Sequence, residues 1–175
     1  YNFFDKKNLE YLIQDAKQTI LKFNNEYEIL HIFITELSAD ENKIDDFQKI
    51  EKCDKITLDL LFICIPIKKI KYFQKLFSNN HININKILSS SYSKTFYLIN
   101  NSSIDYEDKI FIDLGFKKTA VLFYNKNILK YFNIIPIGSN NINKDLIKIL
   151  KIDYVSSEFI KKNFHKKDFF LSPKY

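Results

Sequence analysis

The chain has 175 residues, 46% apolar and 27% charged, a balance that suits a soluble globular protein with length enough for one ordinary core or two small ones. Its net charge of +6 is carried wholly by Lys, since Arg, Met and Trp are absent and Gly occurs only twice. Dispersed Lys without the planar guanidinium fork argues against specific nucleic-acid binding and leaves a weak attraction to anionic surfaces. Cys53 and Cys64 form no disulfide framework, and His31, His81 and His165 have no metal-ligand spacing, so no metal site and no disulfide is expected. No run approaches the ~20 apolar residues that cross a bilayer, and no signal peptide opens the chain. A cytoplasmic setting is the expectation, and Tyr1, without an initiator Met, points to a piece of a longer protein.

Leu9, Leu12, Ile13, Ala16, Ile20 and Phe23 recur at helical spacing, with Asp5 as a candidate cap and Asn24-Asn25 as a stop. Ile29 to Leu37 predicts a strand, and the polar stretch from Ser38 to Asp54, acidic at Asp45-Asp46, a loop or weak edge. From Lys55 to Ile65 the pattern alternates and then becomes apolar on both faces, which predicts a buried central strand carrying Leu60, Phe62 and Cys64. Pro66 suits the first turn of a helix to about Phe77, whose apolar face is Ile67, Ile70, Phe73, Leu76 and Phe77. Ile82 to Leu88 predicts another strand, and Ser89 to Leu98 a helix.

The second half starts near Asp108. Ile110 to Leu114, Thr119 to Tyr124 and Ile128 to Ile135 predict three strands, with Gly115 in the first turn and Asn125-Lys126-Asn127 in the second. Pro136 and Gly138 break the pattern before a helix bearing Ile142, Leu146, Ile149 and Leu150, and Asp153 caps a further helix to about Lys162. The dense cluster Lys161-Lys162 with Lys166-Lys167 reads as a solvated helix end.

Chemistry concentrates here. In Ile112-Asp113-Leu114-Gly115-Phe116-Lys117-Lys118-Thr119 an Asp ends a strand before a tight turn, and such a turn can aim backbone N–H groups at a phosphate while the carboxylate holds a metal-bound water. Taken alone, an Asp-x-Gly hairpin is more often just a turn. Downstream lie Ile135-Pro136-Ile137-Gly138-Ser139-Asn140-Asn141-Ile142-Asn143-Lys144-Asp145 and Ser157-Glu158-Phe159-Ile160-Lys161.

This ordered set resembles the cell-division FtsA family of the actin-like ATPase superfamily. That family carries an Asp-Ile-Gly-Gly-Gly-Thr phosphate loop, then Ile-Pro-x-Gly-Gly-Asn-x-Ile-Thr-x-Asp and an Ala-Glu-x-Ile-Lys helix. Asp113, Gly115, Pro136, Gly138, Ile142, Asp145, Glu158 and Lys161 match in order. Leu30-His31-Ile32 and Leu58 to Ile63 resemble strands of the family's small assembly subdomain, so the likeness runs from about Leu9 to Lys162. It implies an α/β fold: an SHS2-like subdomain with connecting helices over residues 1–104, then the first part of an actin-like (RNase H-like) nucleotide domain over 105–175. It implies nucleotide binding at Asp113, Gly115, Lys117, Lys118, Thr119, Gly138, Glu158 and Lys161, with Glu158 and Lys161 on the nucleoside and ATP with Mg as cofactor. It further implies polymers formed through the small subdomain, around Asp45-Asp46, and links to FtsZ, to later septum proteins and, through a tail outside this chain, to the inner face of the membrane at the division site. It implies no catalytic residue, only the role of an assembly and adaptor protein with weak ATPase activity at most.

The departures are specific. Phe116 and Lys117 replace two loop glycines and Ser139 a third. A side chain in a left-handed position costs roughly 1–2 kcal/mol, so the loop either takes another path or gives up tight phosphate contact. Lys117 and Lys118 can compensate by charge, and the loop threonine's role falls on Lys118 or Thr119. The alternatives are a PilM-like pilus-assembly relative, which shares the Asp-x-Gly and Pro-x-Gly patterns, a sugar-kinase or chaperone ATPase, whose catalytic carboxylate is not visible, and a basic nucleic-acid module.

Overall fold

The computed structural model describes residues 6–44, 53–101 and 108–165, and the expected α/β class holds. The candidate cap Asp5, the acidic pair Asp45-Asp46 and Lys166-Lys167 lie outside the described residues. The chain divides into two units, one of Tyr1–Lys109 with Phe123–Phe132 and one of Ile110–Leu122 with Asn133–Tyr175.

In the first unit the helical period of Leu9, Ile13, Ala16 and Ile20 produces α1 (Lys6–Phe23). Asn24 closes it, donating its backbone N–H to Ile20 O at 2.9 Å, and Tyr27 N–H on Asn24 O at 3.0 Å turns the chain into β1 (Tyr27–Ala39). Asp40 and Glu41 then make a two-residue turn with positive φ at both positions, 47° and 70°, the twist that suits a hairpin. This turn leads into the short β2 (Asn42–Lys43), where Ala39 pairs with Asn42. The Asp40 carboxylate accepts the Lys55 N–H at 2.8 Å and so fixes the approach to β3 (Ile56–Pro66). β1 and β3 pair antiparallel from Tyr27↔Pro66 to Ala39↔Ile56, with irregularities between Ile29 and His31 and between Ile34 and Glu36. At the second bulge the Thr35 carbonyl leaves the ladder and accepts from the Lys130 ammonium, while Thr35 Oγ1 donates to Asp59 O at 3.2 Å.

Four expectations change here. The sheet order is β2-β1-β3, so β1 is central and β3 lies at an edge among the described residues. An apolar run on both faces reports what covers those faces and says nothing about lateral neighbours. The buried residue of β3 is Ile63, whereas Leu60, Phe62 and Cys64, on the opposite row, are half-buried. Residues 82–88 are irregular: their alternating isoleucines have strand propensity, but propensity without a hydrogen-bonding partner makes no strand. Between β3 and this segment lies α2 (Ile67–Ser78), with Pro66 one position earlier than expected, as its N-cap.

α3 (Ser90–Asn101) is held to β1 by aromatic packing. His31 lies 4.9 Å from Tyr92 between ring centroids, and Phe33 4.8 Å from Tyr92. The buried Thr95 hydroxyl shares a 2.7 Å hydrogen bond with Tyr124 OH.

A second sheet of order β4-β5-β6 comprises β4 (Asp108–Leu114), β5 (Thr119–Asn125) and β6 (Ile128–Ile135), and its strands contribute residues to both units. Lys126 and Asn127, at φ 46° and 65°, form its two-residue turn, and Asn125 Nδ2 on Asp108 Oδ1 at 2.7 Å fixes that end. In the second unit α4 (Ser139–Leu150) and α5 (Tyr154–Asn163) pack on each other. Asp153 caps α5 as expected, accepting the Ser156 N–H at 2.8 Å. Ala120, Leu122, Asn143 and Ser157 form this unit's buried centre.

His31 yields the first prediction. Its Nε2 accepts the Ser89 N–H at 3.1 Å, just ahead of α3, so the ring must be neutral at that nitrogen. Burial first, and Lys86 second, hold its pKa below the ordinary 6.5. A depressed folded pKa means that the stabilisation is whole above about pH 6.5 and is lost as pH falls through the folded value. The Tm should therefore fall between pH 7 and pH 5, and His31→Gln, whose oxygen accepts without titrating, should flatten that dependence. Equal slopes for the two chains would contradict the assignment.

Candidate functional site

The site grows from the turn between β4 and β5. Along β4 the residues alternate, leaving Ile110, Ile112 and Leu114 exposed and setting Lys109, Phe111 and Asp113 on the half-buried opposite row. The turn closes with the Gly115 N–H on Lys118 O at 2.9 Å. Phe116 and Lys117 are not among the left-handed residues of the described chain, so the turn has taken a path without backbone strain. Phe116, Lys117 and Lys118 are exposed, and their amides donate to no described residue.

The carbonyl side of the same turn faces α4. The Ser139 N–H donates to Gly115 O and the Asn140 N–H to Phe116 O, both at 2.9 Å, so the turn satisfies amides that a helix start otherwise leaves open. Gly138 precedes the helix, its N–H held by Asn141 Oδ1 at 3.1 Å and its carbonyl accepting the Asn141 N–H at 2.9 Å. A Cβ on Gly138 would lie 2.6 Å from Gly115 O and from the Phe116 carbonyl, all backbone atoms that cannot swing aside. A Cβ on Gly115 would lie 2.8 Å from Lys118 O. Thr119 joins the cluster by donating Oγ1 to Ile137 O at 2.6 Å. Gly115, Thr119 and Gly138 thus meet at one junction, Lys117 and Lys118 rise from its exposed side, and Asp113 stands two residues before the turn.

One turn further along α4, roughly 6 Å at 1.5 Å per residue, is Asn143. It is fully buried, and its Nδ2 donates to Glu158 Oε1 on α5. Lys161 donates to the same oxygen, and both side chains of this ion pair are about one-fifth exposed, 20% for Glu158 and 18% for Lys161. Lys162 stands 3.5 Å from Oε2 and is largely exposed. Hydrogen bonds from Lys161 first and Asn143 second lower the Glu158 pKa to about 2, so the carboxylate is ionised at any neutral pH. The lysine-rich end of α5 therefore surrounds a fixed anion and is not just a solvated face.

Asn143 is the residue that periodicity missed. The expected apolar face of α4 was Ile142, Leu146, Ile149 and Leu150, but Ile142, Ile149 and Leu150 are largely exposed and the inward row is Asn143 with the half-buried Leu146 and Ile147. A polar residue at the centre of the buried stripe shifted the apparent face by one position. Its one sequence signal was its place in the Ile142-Asn143 pair, where the resembling motif has Ile-Thr. Asp145 is exposed. Among the described residues there is no group of three or more His, Cys, Asp or Glu arranged to hold a metal ion.

Residues 110–167 match the family model described as cell division protein FtsA. No match is found among curated proteins. Among solved structures, the chain is similar to one in a PilM-PilN type IV pilus biogenesis complex, with a TM-score of 0.64 and 8% sequence identity. That similarity covers 93% of this chain and 46% of the other, so this chain spans about half the length of the structure it resembles. At this identity the likeness is one of fold.

The junction is testable without any ligand. Its two turn-to-helix hydrogen bonds contribute about 0.5–1.5 kcal/mol each, and forcing a Cβ into a filled space costs about 1–3 kcal/mol. Gly138→Ala should therefore destabilise the chain by about 1–3 kcal/mol in urea denaturation, whereas Ser139→Ala should stay within about 0.5 kcal/mol of the unsubstituted chain. Equal effects would show that the contact at Gly138 is not the constraint.

Proposed function

We propose that this chain is part of an actin-like, nucleotide-binding assembly protein of the FtsA division type. The carrying observation is the junction of the Asp113–Thr119 hairpin with the start of α4, with the Glu158–Lys161 pair bound by Asn143 one helical turn further along α4. The family match over residues 110–167 spans the same elements and supports the reading.

The residues fit MgATP in kind. The amides of Phe116, Lys117 and Lys118, with the two ammonium groups, suit a polyphosphate, for which Lys acts as a point charge. Asp113 would face the water shell of magnesium. The Glu158 carboxylate, saturated at Oε1, keeps lone pairs on Oε2 for a donor on the nucleoside, beside Lys161. When bound, MgATP would supply the energy state that assembly reads; the chain's own residues bind and orient, and none is assigned a catalytic role. In the full-length protein this reading has polymers formed through the small subdomain of residues 1–104, linkage to FtsZ and to later septum proteins, and a position at the inner face of the membrane at the division site.

A PilM-like pilus-assembly protein is the second reading. The fold similarity to the PilM-PilN complex favours it, because that similarity extends over both units while the FtsA match is confined to residues 110–167. Co-sedimentation of the full-length protein with FtsZ polymers separates the two.

An actin-like site closes two phosphate hairpins around the nucleotide, and the described residues supply one. A ligand left largely in water gains too little to offset its lost freedom. Calorimetry should therefore find MgATP bound by the isolated chain no tighter than about 1 mM, roughly −4 kcal/mol. The full-length protein should bind more tightly, and Glu158→Gln there should weaken binding about tenfold. Micromolar binding by this chain alone, or no effect of Glu158→Gln, would contradict the proposal.

A further inference from the structure

We infer that Asn143 is a positioning residue, whose amide fixes the Glu158 carboxylate in the orientation in which its outer oxygen is presented to a ligand. The inference deepens the nucleotide reading above and rests on it only for the identity of the ligand.

Asn143 is fully buried, and its Nδ2 donates to Glu158 Oε1 while its Oδ1, equally buried, has no partner among the described residues. The amide orientation follows from electrostatics: the reversed group would set Oδ1 against a carboxylate. A buried amide with only half of its polar atoms paired is a poor core residue, since the unpaired oxygen has lost its water without replacement. An aliphatic side chain of similar size would pack there without that penalty. What the amide contributes, and an aliphatic residue cannot, is a donor to Glu158. Lys161 neutralises the carboxylate from its own helix at i, i+3, and a flexible ammonium sets charge but little direction. The bond from Asn143 comes from α4, so it fixes the carboxylate from a second element. It also occupies Oε1, which leaves Oε2, with only the exposed Lys162 at 3.5 Å among the described residues, as the outward-facing acceptor. Because Asn143 lies one turn from Ser139, the helix that the hairpin caps at its start also sets the direction of the acid on α5.

The test uses the near-isosteric pair Asn143→Thr and Asn143→Val, which differ by one hydroxyl donor, with folding checked by circular dichroism. The carbon-13 shift of the Glu158 carboxylate is followed from pH 6 to pH 3.5. The unsubstituted chain and the Thr variant should stay ionised across that range, as a pKa of about 2 requires, whereas the Val variant should begin to protonate, its acid constant falling about tenfold. A folded Val variant that stays ionised like the unsubstituted chain overturns the inference. Should neither variant fold, the side-chain amide signals of Asn143 in the unsubstituted chain decide: slow exchange with solvent supports the bond to Glu158, and fast exchange overturns it. A second arm measures MgATP affinity of the full-length protein carrying Asn143→Val, expected about fivefold to tenfold weaker and restored by Thr. If the carboxylate titrates as expected and the affinity does not move, Asn143 still positions Glu158, and it is the nucleoside role of Glu158 that falls.

Discussion

The second unit depends on one contact, in which two carbonyls of a tight turn, Gly115 O and Phe116 O, accept the first two amides of α4. A helix start carries unpaired N–H groups and a partial positive charge, and something must meet them. Here the turn itself does so. The direction of α4 is set by that contact, the place of Asn143 by α4, and the orientation of Glu158 by Asn143. The amides of Phe116, Lys117 and Lys118 in the same turn donate to no described residue, so one four-residue segment is committed on its carbonyl side and uncommitted on its N–H side.

The contact also explains where this chain keeps glycine. Among the described residues, Asp40, Glu41, His81, Lys126, Asn127 and Lys151 take the left-handed backbone that glycine adopts most readily, and no glycine does. Each such position costs a side-chain-bearing residue roughly 1–2 kcal/mol, a strain the fold tolerates. The two glycines, Gly115 and Gly138, sit where a Cβ would meet backbone at 2.8 and 2.6 Å. Neither has positive φ, so sterics and not torsion require them. A composition biased towards Lys, Asn and Ile has therefore displaced glycine where strain is bearable and spared it where two backbones touch.

Much of this was legible in the sequence. The strand pair around Lys126-Asn127, the Asp153 cap and the existence of α1, α2 and α3 follow from local patterns of one or two turns' length. The Asp113–Gly115 hairpin and Gly138 were readable as candidates because their residue types serve close approach. What was not legible depends on partners. The centre of the first sheet is β1 and not β3, because lateral pairing leaves no mark on apolar periodicity. The segment 82–88 has a strand's residues without a strand's neighbour. Asn143 reads as a surface residue by type, and only α5, with Glu158 and Lys161, gives its burial a reason.

We propose that the hairpin uses its carbonyls to hold α4 and leaves its amides to an anionic ligand. Hydrogen exchange on the full-length protein, with and without MgATP, reads both sides of the turn at once. The Ser139 and Asn140 amides should be protected in either state, because Gly115 and Phe116 already hold them, and the amides of Phe116, Lys117 and Lys118 should gain protection only with nucleotide. Fast exchange at Ser139 and Asn140 until nucleotide is added would mean that the helix start meets the ligand directly, and would contradict the account.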